Sequence, residues 1–141
     1  MFLLDTNIIS QQRRAKSGKA NPGVLAWMRT VAPDLLFLSV MTIRELETWA
    51  LLTARRDPEQ AKSIRAWLDD QVSVAFSGRI LTVTEAIARQ AGALFVPDPQ
   101  PISDSLIAAT ALVHGLTVVT RNTADFAPMG VKLLNPWEPT V

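Results

Sequence analysis

Four acids, Asp5, Glu45, Asp104 and Asp125, are the residues whose types and spacing can do chemistry. Asp5 ends the apolar run Phe2-Leu3-Leu4, which reads as a short buried strand. In an open α/β sheet, ligand sites form in the crevice beyond the carboxyl ends of the strands, so an acid placed there is aimed at a site. Glu45 falls one or two turns into the helix after a second strand, and Asp104 in the first turn of a helix after a proline-rich loop. Asp125 follows a fourth strand inside Thr120-Arg121-Asn122-Thr123-Ala124-Asp125-Phe126. Carboxylates gathered in one place raise one another's pKa, and a divalent cation relieves that conflict. Oxygen donors without nitrogen or sulfur suit Mg²⁺ or Mn²⁺ over zinc, and Mg²⁺ keeps several waters, so two direct carboxylates suffice. Such an ion activates water against a phosphodiester and offsets charge on the phosphoryl oxygens. The chemistry expected is RNA cleavage.

Each acid also has an ordinary structural reading. Asp5 can bond nearby backbone amides in a strand–loop turn. Glu45, beside Arg44 and Glu47, can be a solvated helix-face residue. Asp104 suits the helix macrodipole behind Ser103 as a natural cap, and Asp125 can cap a short turn. Singly these signals are weak; their joint placement carries the reading.

Other chemistries lack their residues. With no cysteine and a single histidine, His114, disulfides, thiolate sites, a Cys nucleophile and His/Cys zinc are excluded. Ser39, Ser103 and Ser105 have no histidine base, and no glycine-rich phosphate loop exists. The net charge of +1 carries no global signal for nucleic acid or membrane. Locally, no acid lies between Asp5 and Asp34, whereas Arg13, Arg14, Lys16, Lys19 and Arg29 do; such a segment can track phosphates, or be a solvated face. No apolar run approaches a membrane span, which predicts a soluble, cytoplasmic protein. At 48% hydrophobic and a mean hydropathy of +0.18, some apolar surface is expected to meet a partner.

The 141 residues suit one domain, 1–141, with no internal repeat or linker. After strand one, residues 8–20 read as a polar, basic connection. Asn21-Pro22 starts a helix that Pro33 stops. Strands are expected at 35–38, 79–83, 116–120 and 131–134. Helices are expected at about 40–56, at 57–74, from Thr84-Glu85 through Leu94, and from near Ser103 to His114-Gly115. Short apolar strands alternating with helices predict an α/β fold with a parallel sheet covered on both faces. The helix pair at 40–74, lacking an intervening strand, is expected to stand out as a hairpin.

Leu4-Asp5-Thr6-Asn7, Ser39-Val40-Met41-Thr42-Ile43-Arg44-Glu45-Leu46, Asp104-Ser105-Leu106-Ile107-Ala108-Ala109-Thr110-Ala111 and Thr120-Arg121-Asn122 with Asp125-Phe126 follow one another in order. In these motifs the chain resembles PIN-domain proteins, and more narrowly VapC-type toxins of toxin–antitoxin pairs, over essentially its whole length. The resemblance implies a PIN-like three-layer sandwich with a short, mostly parallel sheet of four to five strands. It implies a metal-dependent endoribonuclease in which Asp5, Glu45, Asp104 and Asp125 match the acidic quartet, and Asp5 and Asp104 the principal metal ligands. Thr6, Asn7, Thr120 and Asn122 match positions that orient the acids or the scissile phosphate. It further implies an RNA substrate, a cognate antitoxin that binds DNA, and a homodimer or higher assembly. Ser103 departs from the family pattern, standing where a small amide or acid is frequent.

Two other readings stand beside this one. A non-catalytic RNA- or protein-binding PIN module would commonly have lost an acid, and here all four positions are filled. An aspartyl-phosphate phosphatase would want an Asp two residues after Asp5, where Asn7 stands.

Overall fold

The structure, a computed structural model, describes residues 1–15 and 17–138. Five short strands form one parallel sheet in the order β3-β2-β1-β4-β5. They are β1 (Phe2–Leu4), β2 (Leu36–Ser39), β3 (Ile80–Leu81), β4 (Thr117–Val119) and β5 (Leu133–Leu134). The expected strand bounds differ by one or two residues, because only the residues facing a neighbour complete the ladder. In register, Leu3 lies opposite Phe37 of β2 on one side and Val118 of β4 on the other. The chain leaves β1 for β2 and β3, then crosses back to β4 and β5. The winding direction therefore reverses between β1 and β4, and a crevice opens there at the carboxyl edge of the sheet.

Side chains alternate across the strands and build two cores. Leu4 and Val119 face one, with Ile8, Leu38, Leu46, Trp67, Val72 and Phe76. Leu3 and Val118 face the other, with Ile107, Ala108, Ala111 and Phe126. Helices α1 (Thr6–Ala15), α2 (Pro22–Thr30), α3 (Val40–Ala54) and α4 (Pro58–Trp67) cover the first face. The second is covered by α7 (Ile102–His114) and α8 (Thr123–Phe126), with α6 (Glu85–Leu94) packed outside α7 through Ile87, Ala91 and Ala109. The result is the three-layer α/β sandwich that the motifs implied.

The helix starts follow side-chain caps. Asn21 Oδ1 accepts from the N–H groups of Gly23 and Val24 at 2.9 and 3.2 Å. Asp57 Oδ1 accepts from Gln60 N–H at 3.1 Å, and Thr84 Oγ1 from Ile87 N–H at 3.2 Å. These hydroxyl, amide and carboxylate groups satisfy N–H donors that a first turn leaves without partners.

Two expectations are corrected. The polar connection over 8–20 is instead mostly helix α1, which starts directly after Asp5; Ile8 and Ile9 bury fully and Gln11 nearly so. With only two adjacent apolar residues, α1 shows no repeat of three and four, and burial is completed by the polar Gln11, whose Oε1 accepts Asn21 N–H at 2.7 Å. Lys16, in the same stretch, lies outside the described residues. The helix expected over 57–74 changes pitch after Trp67: Leu68–Val72 is a π-helical turn leading into α5 (Ser73–Ala75). Leu68 and Val72, four residues apart, both stay on the buried side. In the pair at 40–74, Leu46, Trp67, Leu68 and Val72 share the core of Leu4 and Ile8, whereas Ala50, Ala61 and Ile64 are buried outside it. Among the described residues no helix is long and apolar enough to cross a membrane.

Candidate active site

The crevice between β1 and β4 is bridged at its mouth by one hydrogen bond. Thr120, immediately after β4, donates from Oγ1 to Oδ2 of Asp5, immediately after β1, at 2.8 Å. Asp5 Oδ1 accepts the N–H of Thr6 at 2.8 Å, and Asn7 Nδ2 lies 3.4 Å from Oδ2. Asn7 Nδ2 also approaches Thr120 Oγ1 at 3.3 Å, while Asn122 donates its backbone N–H to the same oxygen at 3.0 Å. With two donors directed at the Thr120 oxygen, its hydroxyl hydrogen is left for Asp5. Asn7 Oδ1 accepts the N–H of Arg121 at 3.3 Å, closing the network across the crevice. Asn122 thus enters through its backbone, whereas Thr6, Asn7 and Thr120 enter through side chains as well.

Glu45 reaches the same crevice from the second turn of α3. Thr6 Oγ1, at the start of α1, donates a short hydrogen bond to Oε2, and Ser103 Oγ donates to Oε1 at 2.6 Å. Both carboxylate oxygens are therefore held by hydroxyls from two different helices. Ser103 was expected as the cap of its helix; instead α7 begins at Ile102 with Pro101 in the cap position. The hydroxyl is in this way released from the backbone and turned toward Glu45. The one signal in the chain was Pro101, which moves the helix start ahead of Ser103.

Asp104, beside it in the first turn of α7, has its carboxyl pushed up to about 6. Burial is the main cause, and the charges of Asp5, Asp125 and Glu45 add to it in that order. The Asp5 carboxyl is raised as well, chiefly by burial. Its bonds from Thr120 and Thr6 oppose the rise, and the charges of Glu45 and Asp125 add to it. Asp125 sits exposed on α8, its N–H donating to the carbonyl of Asn122 at 3.1 Å. Asp5 and Asp104 therefore each feel the charges of Glu45 and Asp125, although the four stand 40 or more residues apart except for Asp104 and Asp125.

The PIN domain family model matches residues 2–131. The chain belongs to the PIN domain family. It is similar to the VapC ribonuclease Y4jK of Sinorhizobium fredii, 33% identical over 144 residues covering 99% of each chain. It is likewise similar to the toxin FitB of Neisseria gonorrhoeae, 34% identical over 97% of this chain and 99% of FitB. Among solved structures, FitAB bound to the IR36 DNA fragment superposes with a TM-score of 0.88 at 29% identity, covering 100% of this chain and 99% of that one.

The donor set of this PIN domain fits a hard divalent cation. The side chains bonded to Asp5 and Glu45 offer hydroxyl or amide groups, and among the described residues none of the four acids is paired with Lys or Arg. The raised carboxyls of Asp5 and Asp104, caused first by burial and then by neighbouring acids, are ones a bound cation would relieve. No three His, Cys, Asp or Glu side chains among the described residues lie close enough to ligate one ion jointly. The fit is therefore to an ion held by few direct protein ligands and completed by water, as Mg²⁺ allows.

Proposed function

We propose that this PIN domain is a metal-dependent endoribonuclease, the toxin of a toxin–antitoxin pair. The observation that carries the reading is the set of mutually repelling, unpaired carboxylates at the point where the sheet reverses its winding. The ribonuclease and toxin names of full-length relatives support it.

In this reading Asp5 and Asp104 are the direct ligands of Mg²⁺ or Mn²⁺, with Glu45 and Asp125 completing the charge. Bound there, the ion would polarise a phosphoryl oxygen and lower the pKa of a water. Water adds to phosphorus, one P–O ester bond breaks, and the departing oxygen takes up a proton. Thr120 and the Thr6 N–H keep the Asp5 carboxylate in one orientation, and Asn7 ties that carboxylate to the strand across the crevice. Glu45 spends both oxygens on hydroxyl donors, so it acts by charge and position. The exposed Asp125, whose carboxylate makes no side-chain hydrogen bond among the described residues, is free to exchange the water's proton with solvent.

A protein antitoxin that binds DNA is proposed as partner, supported by the likeness to FitAB held on a DNA fragment. Homodimer formation, or a larger assembly, would cover exposed apolar residues such as Val96, Ile102 and Val113. The proposed place of action is the cytoplasm, where RNA is met.

Incubating the full chain with a mixed RNA pool in Mg²⁺ or Mn²⁺, and again in EDTA, tests the reading. Cleavage is expected only with the ion. Asp5→Asn should lower it by about a hundredfold or more while thermal unfolding stays cooperative, because the isosteric amide keeps the shape and one acceptor oxygen and loses the charge. Intact RNA with both ions would leave the non-catalytic binding module, and a fully active D5N chain would refute the mechanism.

A further inference from the structure

We propose that a basic groove beside α1 holds the RNA strand beyond the scissile phosphate; the proposal rests on the ribonuclease reading above. The groove, about 1100 Å³, lies between α1 and α4 with Trp49 of α3 in its wall. Arg13 and Arg14 from the end of α1 and Lys19 from the following loop supply its cations, and Asp70 is the one acid among its lining residues.

Its direction connects it to the acids. On α1, Thr6, Ser10, Arg13 and Arg14 are spaced by four, seven and eight residues, which places them along one face. Thr6 holds Glu45, and Ser10 Oγ donates back to the Thr6 carbonyl at 3.2 Å. At about 1.5 Å per residue, the arginines lie roughly 10–12 Å along the helix from Thr6. On α3 the same step occurs in parallel, since Trp49 follows Glu45 by one turn. The α1 wall, and Trp49 on α3, therefore lead from the residues at the carboxylates into the groove.

The cations are prepared for a polyanion. Arg13 is held with its guanidinium 5.6 Å from the Trp49 ring centroid, and it donates to Ser63 Oγ at 3.1 Å. Arg14 and Lys19 are exposed. Among the described residues none of the three is paired with a carboxylate. An acidic peptide laid along this path would run into four carboxylates at its far end. A nucleic-acid strand avoids that clash, because the group it presents there is the phosphate that the ion-loaded site takes. Binding through backbone phosphates is independent of sequence and steeply salt-dependent.

The test is fluorescence anisotropy of a labelled single-stranded RNA with the full chain carrying Asp5→Asn, in Mg²⁺, across a salt series. Adding Arg14→Ala and Lys19→Ala is expected to weaken binding severalfold at low salt. It should also flatten the slope of log K against log salt by about 1.4, at about 0.7 for each phosphate that is no longer neutralised. Arg13→Ala should flatten it further, but that side chain also packs on Trp49, so the exposed pair decides. An unchanged slope in a folded R14A/K19A chain would overturn the proposal. So would unchanged RNA affinity with weakened capture of a protein partner, which would hand the groove to that partner. Binding is read without cleavage, so a wild-type chain that cuts no RNA would defeat the ribonuclease reading separately.

Discussion

Ser103 Oγ, 2.6 Å from Glu45 Oε1, does a task that its neighbour Asp104 makes necessary. Glu45 stands near Asp5 and Asp104, and two hydroxyl donors to its carboxylate offset that crowding. Thr6 supplies one from the start of α1 and Ser103 the other from α7. Ser103→Ala leaves Oε1 without its donor and frees the side chain to turn. The expected result is a loss of roughly 10- to 100-fold in activity or metal affinity, the range for groups that orient ligands from behind. Ser103→Thr, which keeps the hydroxyl, should restore most of it. Measuring cleavage against Mg²⁺ concentration checks this, and a wild-type titration from S103A would mean that Thr6 alone holds Glu45.

At the scale of elements, the helices that carry acids are ended as firmly as they are started. Gly115 closes α7 with a φ of 69°, in the left-handed region, and its N–H donates to the Ala111 carbonyl. A Cβ built there meets nothing within 4 Å, so Gly115→Ala would be strained by backbone conformation alone. The expected cost is about 1–2 kcal/mol by chemical denaturation, with the m-value unchanged. A neutral substitution would show that the turn can relax without the left-handed residue. This helix end was legible from His114-Gly115, as were the caps at Asn21, Asp57 and Thr84. The beginning of α1 was not. Its ten residues include only two adjacent isoleucines on the buried side, and what makes it helical is docking on the sheet beside Asp5. Helices drawn mainly by tertiary packing leave little periodicity to read.

Across the whole molecule, the acids make folding sensitive to pH. The Asp104 carboxyl titrates near 6 in the folded chain against an ordinary 3.8. Between those values the folded state binds more protons than the unfolded state, so ion-free stability falls as pH rises through that window and stays lower above it. Asp5 shifts in the same direction. Glu47, bonded to Arg65 at 2.6 Å, is lowered and works the other way, so the informative comparison is wild type against Asp104→Asn. The ion-free D104N chain should gain on wild type from pH 5 to pH 7. Mg²⁺ should raise the wild-type Tm more at pH 7 than at pH 5, and hardly that of D104N. Equal Mg²⁺ responses in the two chains at pH 7 would remove Asp104 from the ligand set.

The order and kind of the oxygen donors were legible in the linear chain, because an acid after an apolar strand and an acid in a helix's first turn mark the same edge of a parallel sheet wherever the chain folds that way. The absence of cysteine and the single histidine left oxygen as the donor type on offer. Only the fold decided which atoms meet. Thr120 and Asp5 are 115 residues apart and Ser103 and Glu45 are 58 apart, so neither partner is named by its neighbours in the chain. Hydrogen-bond partners depend on where a helix begins to within one residue, and that is settled by packing against the sheet. Hence the acids could be read from the chain, while the hydroxyls that hold them, and the groove leading away from them, required the assembled helices.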